Sequence, residues 1–230
     1  MAARLLFVHS PLVGSGTWDQ VAADFGERGY EVGAVDLTGT IGAGPPYCVR
    51  QAEVIARSAA GPPVILIGHS GAGTLLAAAG AIAGQVLGYV FVDALLPIPG
   101  QSWMETAPDD LAVQVREMAD AEGWLPPWPQ WWGDEVMAGL LPDPEMRRRF
   151  TEGCPRLPLA MFEEVHPPMP QWPHAAAAYL QLSEAYEDQA ITARGLGWPV
   201  AELGSHHLGL MTEPALVAGS VHDLLGQLGG

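Results

Sequence analysis

Apolar and polar positions along this chain follow two rhythms, and the switches between them mark out its elements. Short apolar runs occur at Arg4–Val8 (R-L-L-F-V), Glu31–Asp36 (E-V-G-A-V-D), Val64–Gly68 (V-I-L-I-G), Leu87–Val92 (L-G-Y-V-F-V), Ala178–Leu182 (A-Y-L-Q-L) and Pro199–Leu203 (P-V-A-E-L). Their brevity and near-continuous apolar character predict buried strands. Helical patterns lie between and after them, from Thr17 to about Arg28, over Tyr47–Ala59, from Gly73 onward in T-L-L-A-A-A-G-A-I-A, and over about Glu213–Leu228. Strands separated by helices of about 10–15 residues need crossover connections. The expected fold class is therefore α/β, a mostly parallel, doubly wound sheet of about six strands with helices on both faces. Ligands in such sheets sit beyond the carboxyl ends of the strands. His9, Ser70, Asp93 and the segment after Leu203 all fall there.

The sharpest switch is at V-I-L-I-G-H-S-G-A-G, residues 64–73, where a β-branched run turns directly into an alanine- and leucine-rich helix. Such a turn forces its middle residue into strained backbone geometry, tolerable only beside small neighbours. Gly68, Gly71 and Ala72 flank Ser70 in that way. The turn lifts the Ser70 hydroxyl clear of the sheet and points the free N–H groups of the helix start at whatever that hydroxyl attacks. In this setting G-H-S-G-A-G resembles the nucleophile elbow of the α/β-hydrolase family, with Ala72 in the place of the last glycine of G-x-S-x-G. The resemblance spans almost the whole chain.

One stretch breaks the alternation. Residues 97–173 hold Trp103, Trp124, Trp128, Trp131, Trp132 and Trp172, six of the eight tryptophans, and most of the prolines. Asp109–Ala121 and Asp143–Phe150 read as short helices within it. We expect a core formed by residues 1–96 and 174–230 and a helical lid over 97–173 that shapes an apolar pocket and excludes water. Trp103, Trp128, Trp131 and Trp132 are the candidate substrate-facing rings, and the other tryptophans hold the lid together.

Charge narrows the partners. The chain has 230 residues, 26 acidic and 10 basic, for a net charge of −16. That excess argues against nucleic acid and anionic membranes and favours a small neutral or cationic molecule. A homodimer stays open. M-A-A-R before the first strand is too short for a secretory signal, and Cys48 and Cys154 read as thiols of a reducing compartment, so a cytoplasmic location is expected. Nothing in the residue spacing implies a metal or organic cofactor.

A serine is a weak nucleophile at neutral pH and needs a base, an orienting acid and an oxyanion hole. The resemblance implies a base in the loop after the last strand, here G-S-H-H-L-G-L-M-T-E-P. The family's spacing to the proline selects His207, and the small residue before the first histidine keeps His206 as the alternative. His69 is expected to point away into packing. The family often carries its acid after the penultimate strand, where the expected register falls on Ala185 or Tyr186, neither of them acidic. Some members use the end of the strand after the elbow helix, which is Asp93 here. A charge at a buried strand end needs a partner such as a histidine N–H, which favours Asp93, with Glu184 second. The resemblance also implies backbone N–H donors from Gly71 and from the loop after the first strand. That loop reads His9-Ser10-Pro11, and proline has no N–H to give. Either Leu12 or the Ser10 hydroxyl fills the place; a hydroxyl at this position resembles the plant esterase and hydroxynitrile-lyase branch.

The expected function is a serine hydrolase that cleaves an ester, thioester or lactone of a small apolar molecule. Two alternatives stay open: a non-hydrolytic lyase or cyclase of secondary metabolism on the same fold, and a binding protein that keeps the pocket without catalysis.

Overall fold

The computed structural model describes residues 3–169 and 171–228; the outermost residues of both expected core segments and Pro170 of the expected lid lie outside this range. Six parallel strands make the central sheet: β1 (Arg4–Val8), β2 (Val32–Val35), β3 (Val64–Ser70), β4 (Val86–Ala94), β7 (Ala176–Gln181) and β8 (Val200–Glu202), in the order β2-β1-β3-β4-β7-β8. Two short strands, β5 (Trp124–Leu125) and β6 (Leu157–Pro158), pair antiparallel within the 97–173 segment. The order reverses between β1 and β3, which opens a crevice at their carboxyl ends. Ser10 follows one of these strands and Ser70 ends the other, so the two serines flank the crevice.

Alternation along each strand feeds two cores. Leu6, Val8, Leu66, Tyr89, Phe91 and Tyr179 face helices α2 (Tyr47–Ser58), α3 (Gly73–Ala83) and α9 (Glu187–Gly195). Leu5, Phe7, Ile67, Val90, Val92 and Leu180 face α1 (Asp19–Glu27) and α11 (Pro214–Gln227). Burying each such large apolar side chain stabilises the fold by about 1.5–3 kcal/mol, enough in sum to hold both helical layers on the sheet. The predicted strands and core helices are all present, displaced by a residue or two at their ends.

The 97–173 segment carries α4 (Trp103–Thr106), α5 (Asp109–Met118), α6 (Asp134–Leu140), α7 (Pro144–Gly153) and α8 (Leu159–Glu163), more elements than its sequence pattern suggests. Met104, Val115, Leu125, Trp131, Leu157 and Phe162 form a cluster of their own. That cluster reaches the sheet through Leu12 and Ile41, from loops at its carboxyl end. The final turns are α10 (Gly209–Thr212) and α11, which begins with Pro214 in its first turn.

Two strand ends are built unusually. Ser70 has φ 57°, and Asp93 has φ 42°; they are the non-glycine residues with positive φ among those described. In the β3–β4 pairing His69 lies opposite Val92 and Ser70 opposite Ala94, so Asp93 is the extra residue of a β-bulge. A bulge swings its side chain out of the regular alternation, and aspartate tolerates the left-handed region better than most residues. At the elbow, a methyl group on Gly73 would sit 2.0 Å from the Leu95 carbonyl oxygen, while Ala72 is fully buried without such a conflict. Close approach of α3 to the end of β4 is what requires a glycine here, one position later than the family pattern.

Candidate active site

The strained turn presents Ser70 Oγ to a ring from the far end of the chain. His207 Nε2 lies 3.1 Å from Ser70 Oγ, and His207 Nδ1 lies 2.7 Å from Asp93 Oδ2. With Nδ1–H given to the carboxylate, the neutral ring turns its Nε2 lone pair towards the serine hydroxyl. Asp93 is wholly buried, and its partners explain how a charge sits there. The N–H groups of Leu182 and Ser183 donate to Oδ1 at 2.9 and 3.0 Å, and the Ser183 hydroxyl donates to Oδ2 at 2.6 Å. Burial alone would raise its pKa; the His207 hydrogen bond and charge, together with Ser183, outweigh burial and hold the carboxyl below its usual value.

His206 is turned elsewhere. Its Nδ1 accepts the Leu208 N–H at 3.3 Å and its Nε2 lies 3.0 Å from Thr212 Oγ1, so both nitrogens are occupied within its own loop. Glu184 is exposed at the start of the turn Glu184–Tyr186 and has no hydrogen bond to either histidine among the described residues. His69 does more than pack. Its Nε2–H donates to the His207 backbone carbonyl at 2.9 Å, and the two rings lie 4.5 Å apart. Burial first, then the charge of His207, pulls the His69 pKa down to about 3, which keeps it a neutral support under the loop.

At the other wall of the crevice, His9 is fully buried. Its Nδ1–H donates to the Ser10 carbonyl at 2.8 Å and its Nε2 accepts the Leu37 N–H at 2.9 Å, which ties the loops after β1 and β2 together. Burial holds its pKa below the ordinary value. The Leu12 N–H is directed at Ser10 Oγ, 3.3 Å away, so Leu12 is committed inside the loop while the Ser10 hydroxyl keeps its proton to donate. Ser10 Oγ would lie 3.0 Å from a methyl group on Gly71, so Gly71 and Ser10 share one small space at the elbow.

The four tryptophans named from the sequence divide. Trp128 comes within 6.1 Å of the His207 ring, centre to centre. Trp131 belongs instead to the segment's own core, its indole N–H donating to the Pro126 carbonyl at 2.9 Å. Trp103 packs edge-on against Phe162, and Trp132, 39% exposed, packs edge-on against Trp128. Of the four, Trp128 is the ring in contact range of His207, while Trp103 and Trp131 pack in the segment's own cluster and Trp132 is partly exposed.

Sequence reasoning missed Tyr186 and Ser183. The Tyr186 ring stacks on His207 at 4.9 Å with planes 3° apart, and its hydroxyl lies 3.3 Å from Ser70 Oγ. The one available signal was positional, since the family's acid register falls on Ala185 or Tyr186. Two surface cavities of about 580 and 390 Å³ lie away from this centre, one beside Ile82 and Trp172 and the other between Thr17 and Phe150. Among the described residues no group of histidine, cysteine, aspartate or glutamate side chains is arranged to hold a metal ion. No helix among them is long and apolar enough to cross a membrane.

A sequence profile of the alpha/beta hydrolase family matches residues 5–220. The chain belongs to the alpha/beta hydrolase family. Solved structures of this hydrolase fold superpose on nearly all of it. An extracellular alpha/beta-hydrolase from a Paenibacillus species, described as sharing structural and functional homology with tobacco salicylic acid binding protein 2, has a TM-score of 0.76 at 17% identity and covers 99% of each chain. Polyneuridine aldehyde esterase has a TM-score of 0.70 at 19% identity, covering 97% of this hydrolase and 99% of its own chain. Tomato methylketone synthase I, complexed with 2-tridecanone, has a TM-score of 0.71 at 15% identity, covering 99% and 100%. A search of curated proteins finds no match.

Proposed function

We propose that this alpha/beta hydrolase cleaves an ester, thioester or lactone of a small, largely apolar molecule through a covalent acyl-serine. The observation that carries the reading is the unbroken run of short contacts from Asp93 through His207 to Ser70 Oγ, at 2.7 and 3.1 Å. Ser70 attacks the carbonyl as its proton passes to His207 Nε2. Asp93 fixes the tautomer and stabilises the imidazolium. The Gly71 N–H and the Ser10 hydroxyl bind the oxyanion, with Leu12 holding Ser10 in place. His207 then gives the proton to the leaving alcohol or thiol, and water repeats the sequence to release the acid.

Residues 97–173 act as the lid in this reading, with Trp128 as the ring nearest the reacting atoms. The substrate is the only partner required, neither nucleic acid nor membrane takes part, and a homodimer remains open to a sedimentation measurement. Two free buried thiols, Cys48 and Cys154, fit a cytoplasmic location. The test is a fluorophosphonate probe with p-nitrophenyl esters of increasing chain length. Wild type should be labelled on Ser70 and turn over, and Ser70→Ala should do neither. A folded wild type that is not labelled sinks the reading. The fold relationship to methylketone synthase I supports one competitor, a non-hydrolytic reaction using the same residues; trapping an acyl group on Ser70 by mass spectrometry decides against it.

A further inference from the structure

We infer that Tyr186 is a further catalytic residue, whose hydroxyl donates a hydrogen bond to Ser70 Oγ and assists that oxygen when it leaves the acyl carbon. The inference rests on the acyl-serine reading above. Two contacts converge on this side chain, and its turn is anchored beside the same carboxylate. Its hydroxyl lies 3.3 Å from Ser70 Oγ, its ring lies flat on His207, and its turn follows Ser183, which bonds the Asp93 carboxylate. Tyr186 thus touches both the serine and the histidine.

The direction of the hydrogen bond follows from the proton inventory. The Ser70 proton is directed to His207 Nε2, so the remaining lone pairs of Oγ can only accept. The phenol has a proton to give, because burial raises its pKa well above the ordinary range and this outweighs its bond to Ser70. At 3.3 Å the bond is longer than the best hydroxyl pairs, and such bonds shorten and strengthen when the acceptor gains charge. It is therefore worth most when Oγ is becoming an alkoxide.

That timing separates the two halves of the reaction. In the free enzyme the bond exists before Ser70 attacks, so most of it cancels from the acylation barrier. In the acyl-enzyme Oγ is an ester oxygen and a poor acceptor. During deacylation the water oxygen bonds to the acyl carbon as its proton passes to His207 Nε2. The tetrahedral carbon then expels Oγ, the C–Oγ electron pair goes to Oγ, and Nε2 returns the proton to it. Tyr186 keeps its own proton throughout and regains the hydrogen bond as the C–Oγ bond breaks. Deacylation should depend on this hydroxyl strongly and acylation only weakly.

Stopped-flow hydrolysis of p-nitrophenyl butyrate by wild type, Tyr186→Phe and Tyr186→Leu tests this, with the Ser70 peptide followed by mass spectrometry and the fold by near-ultraviolet circular dichroism. Tyr186→Phe keeps the stacked ring. It should acylate within about twofold of wild type, release one equivalent of p-nitrophenolate in a burst, and deacylate about 10- to 100-fold more slowly, the range of a hydrogen bond to a charged group. Tyr186→Leu should slow acylation as well, because His207 loses its platform. Equal slowing of both steps in Tyr186→Phe, or an unchanged deacylation rate, overturns the inference while leaving the acyl-serine reading intact. A wild type without fluorophosphonate labelling of Ser70 overturns both.

Discussion

The carboxyl ends of β3 and β4 and the 97–173 segment hold their side chains in place by opposite means. At the strand ends the backbone does the placing. Ser70 and Asp93 both sit at positive φ, one on the elbow and one on a bulge, each held by sheet neighbours on either side. In residues 97–173 side-chain volume does it, with rings and prolines around Trp131, Phe162 and Leu125 and little regular hydrogen bonding between strands. Strained backbone of this kind costs about 1–3 kcal/mol per residue and persists only where the surroundings over-determine it. The comparison teaches that the strand ends carry geometry that cannot slip, while a segment held mainly by side-chain packing can tolerate repacking.

The harshest test of that contrast is chemical. Ser70→Ala and His207→Ala should each lower ester turnover by about 10⁴-fold or more while leaving the thermal midpoint within a few degrees, whereas His206→Ala should leave turnover within about threefold. Steady-state kinetics of the three purified variants decides it. If the His206 variant is the inactive one, the loop after β8 has been assigned to the wrong ring.

Asp93→Asn comes next and strikes geometry and stability together. An amide there can satisfy some of the donors from Leu182, Ser183 and His207 but carries no charge, so turnover should fall by about 10³- to 10⁴-fold. Because the folded carboxyl has a pKa below its usual 3.8, its stabilising contribution is complete above about pH 4 and is lost as pH falls through the depressed folded value. Wild type should therefore exceed Asp93→Asn in stability by about 1.5–3 kcal/mol at pH 7, with the gap closing in acid. Urea melts at pH 7 and at a series of lower pH values follow the gap as it closes. A gap that stays constant with pH would place the effect in packing rather than in charge.

These residues also mark what the sequence made legible. The elbow was readable because a nucleophile turn is local: a β-branched run, small neighbours and an immediate helix lie within ten residues. His207 and Asp93 were narrowed to pairs, since loop position restricts candidates but cannot say which ring reaches Oγ. The bulge that aims Asp93 arises from pairing with β3, so no local pattern announces it. Tyr186 stayed hidden for a similar reason. A tyrosine in S-E-A-Y-E-D reads as an ordinary turn residue until β7 carries that turn against His207. The tryptophans were readable as a group, yet their division between Trp128 at His207 and Trp131 in the segment's core depends on packing alone.

Trp131→Ala sharpens the contrast from the other side. The ring is 7% exposed within its own cluster, and its removal should cost about 3–5 kcal/mol of the stability of 97–173. Trp128→Ala, nearer His207, should cost less in stability and act on KM for longer acyl chains. Thermal melts paired with a chain-length series separate the two. Equal effects of both substitutions on KM would mean that substrate touches the inner ring, contrary to its placement.

The smallest expected effect probes where the two regions are fastened. Glu164, just after α8, accepts the N–H groups of Tyr47 and Cys48 at 2.7 Å each and so closes the start of α2. Beside it Cys48 Sγ and His166 Nδ1 lie 3.4 Å apart in a buried contact. A carboxylate suits this place, because it accepts both donors and opposes the positive end of the helix dipole. Glu164→Gln keeps one acceptor, turns an amide N–H towards the other donor and removes the charge, for an expected loss of about 1–2 kcal/mol, or roughly 2–8 °C in midpoint. If the segment opens as a unit of its own, hydrogen exchange should speed up at residues 47–50 and 159–166 while the amides of β3 and β4 keep their protection. Protection lost equally in the sheet would show that strand ends and overlying segment unfold together, and that the difference between them lies in geometry without a matching difference in cooperativity.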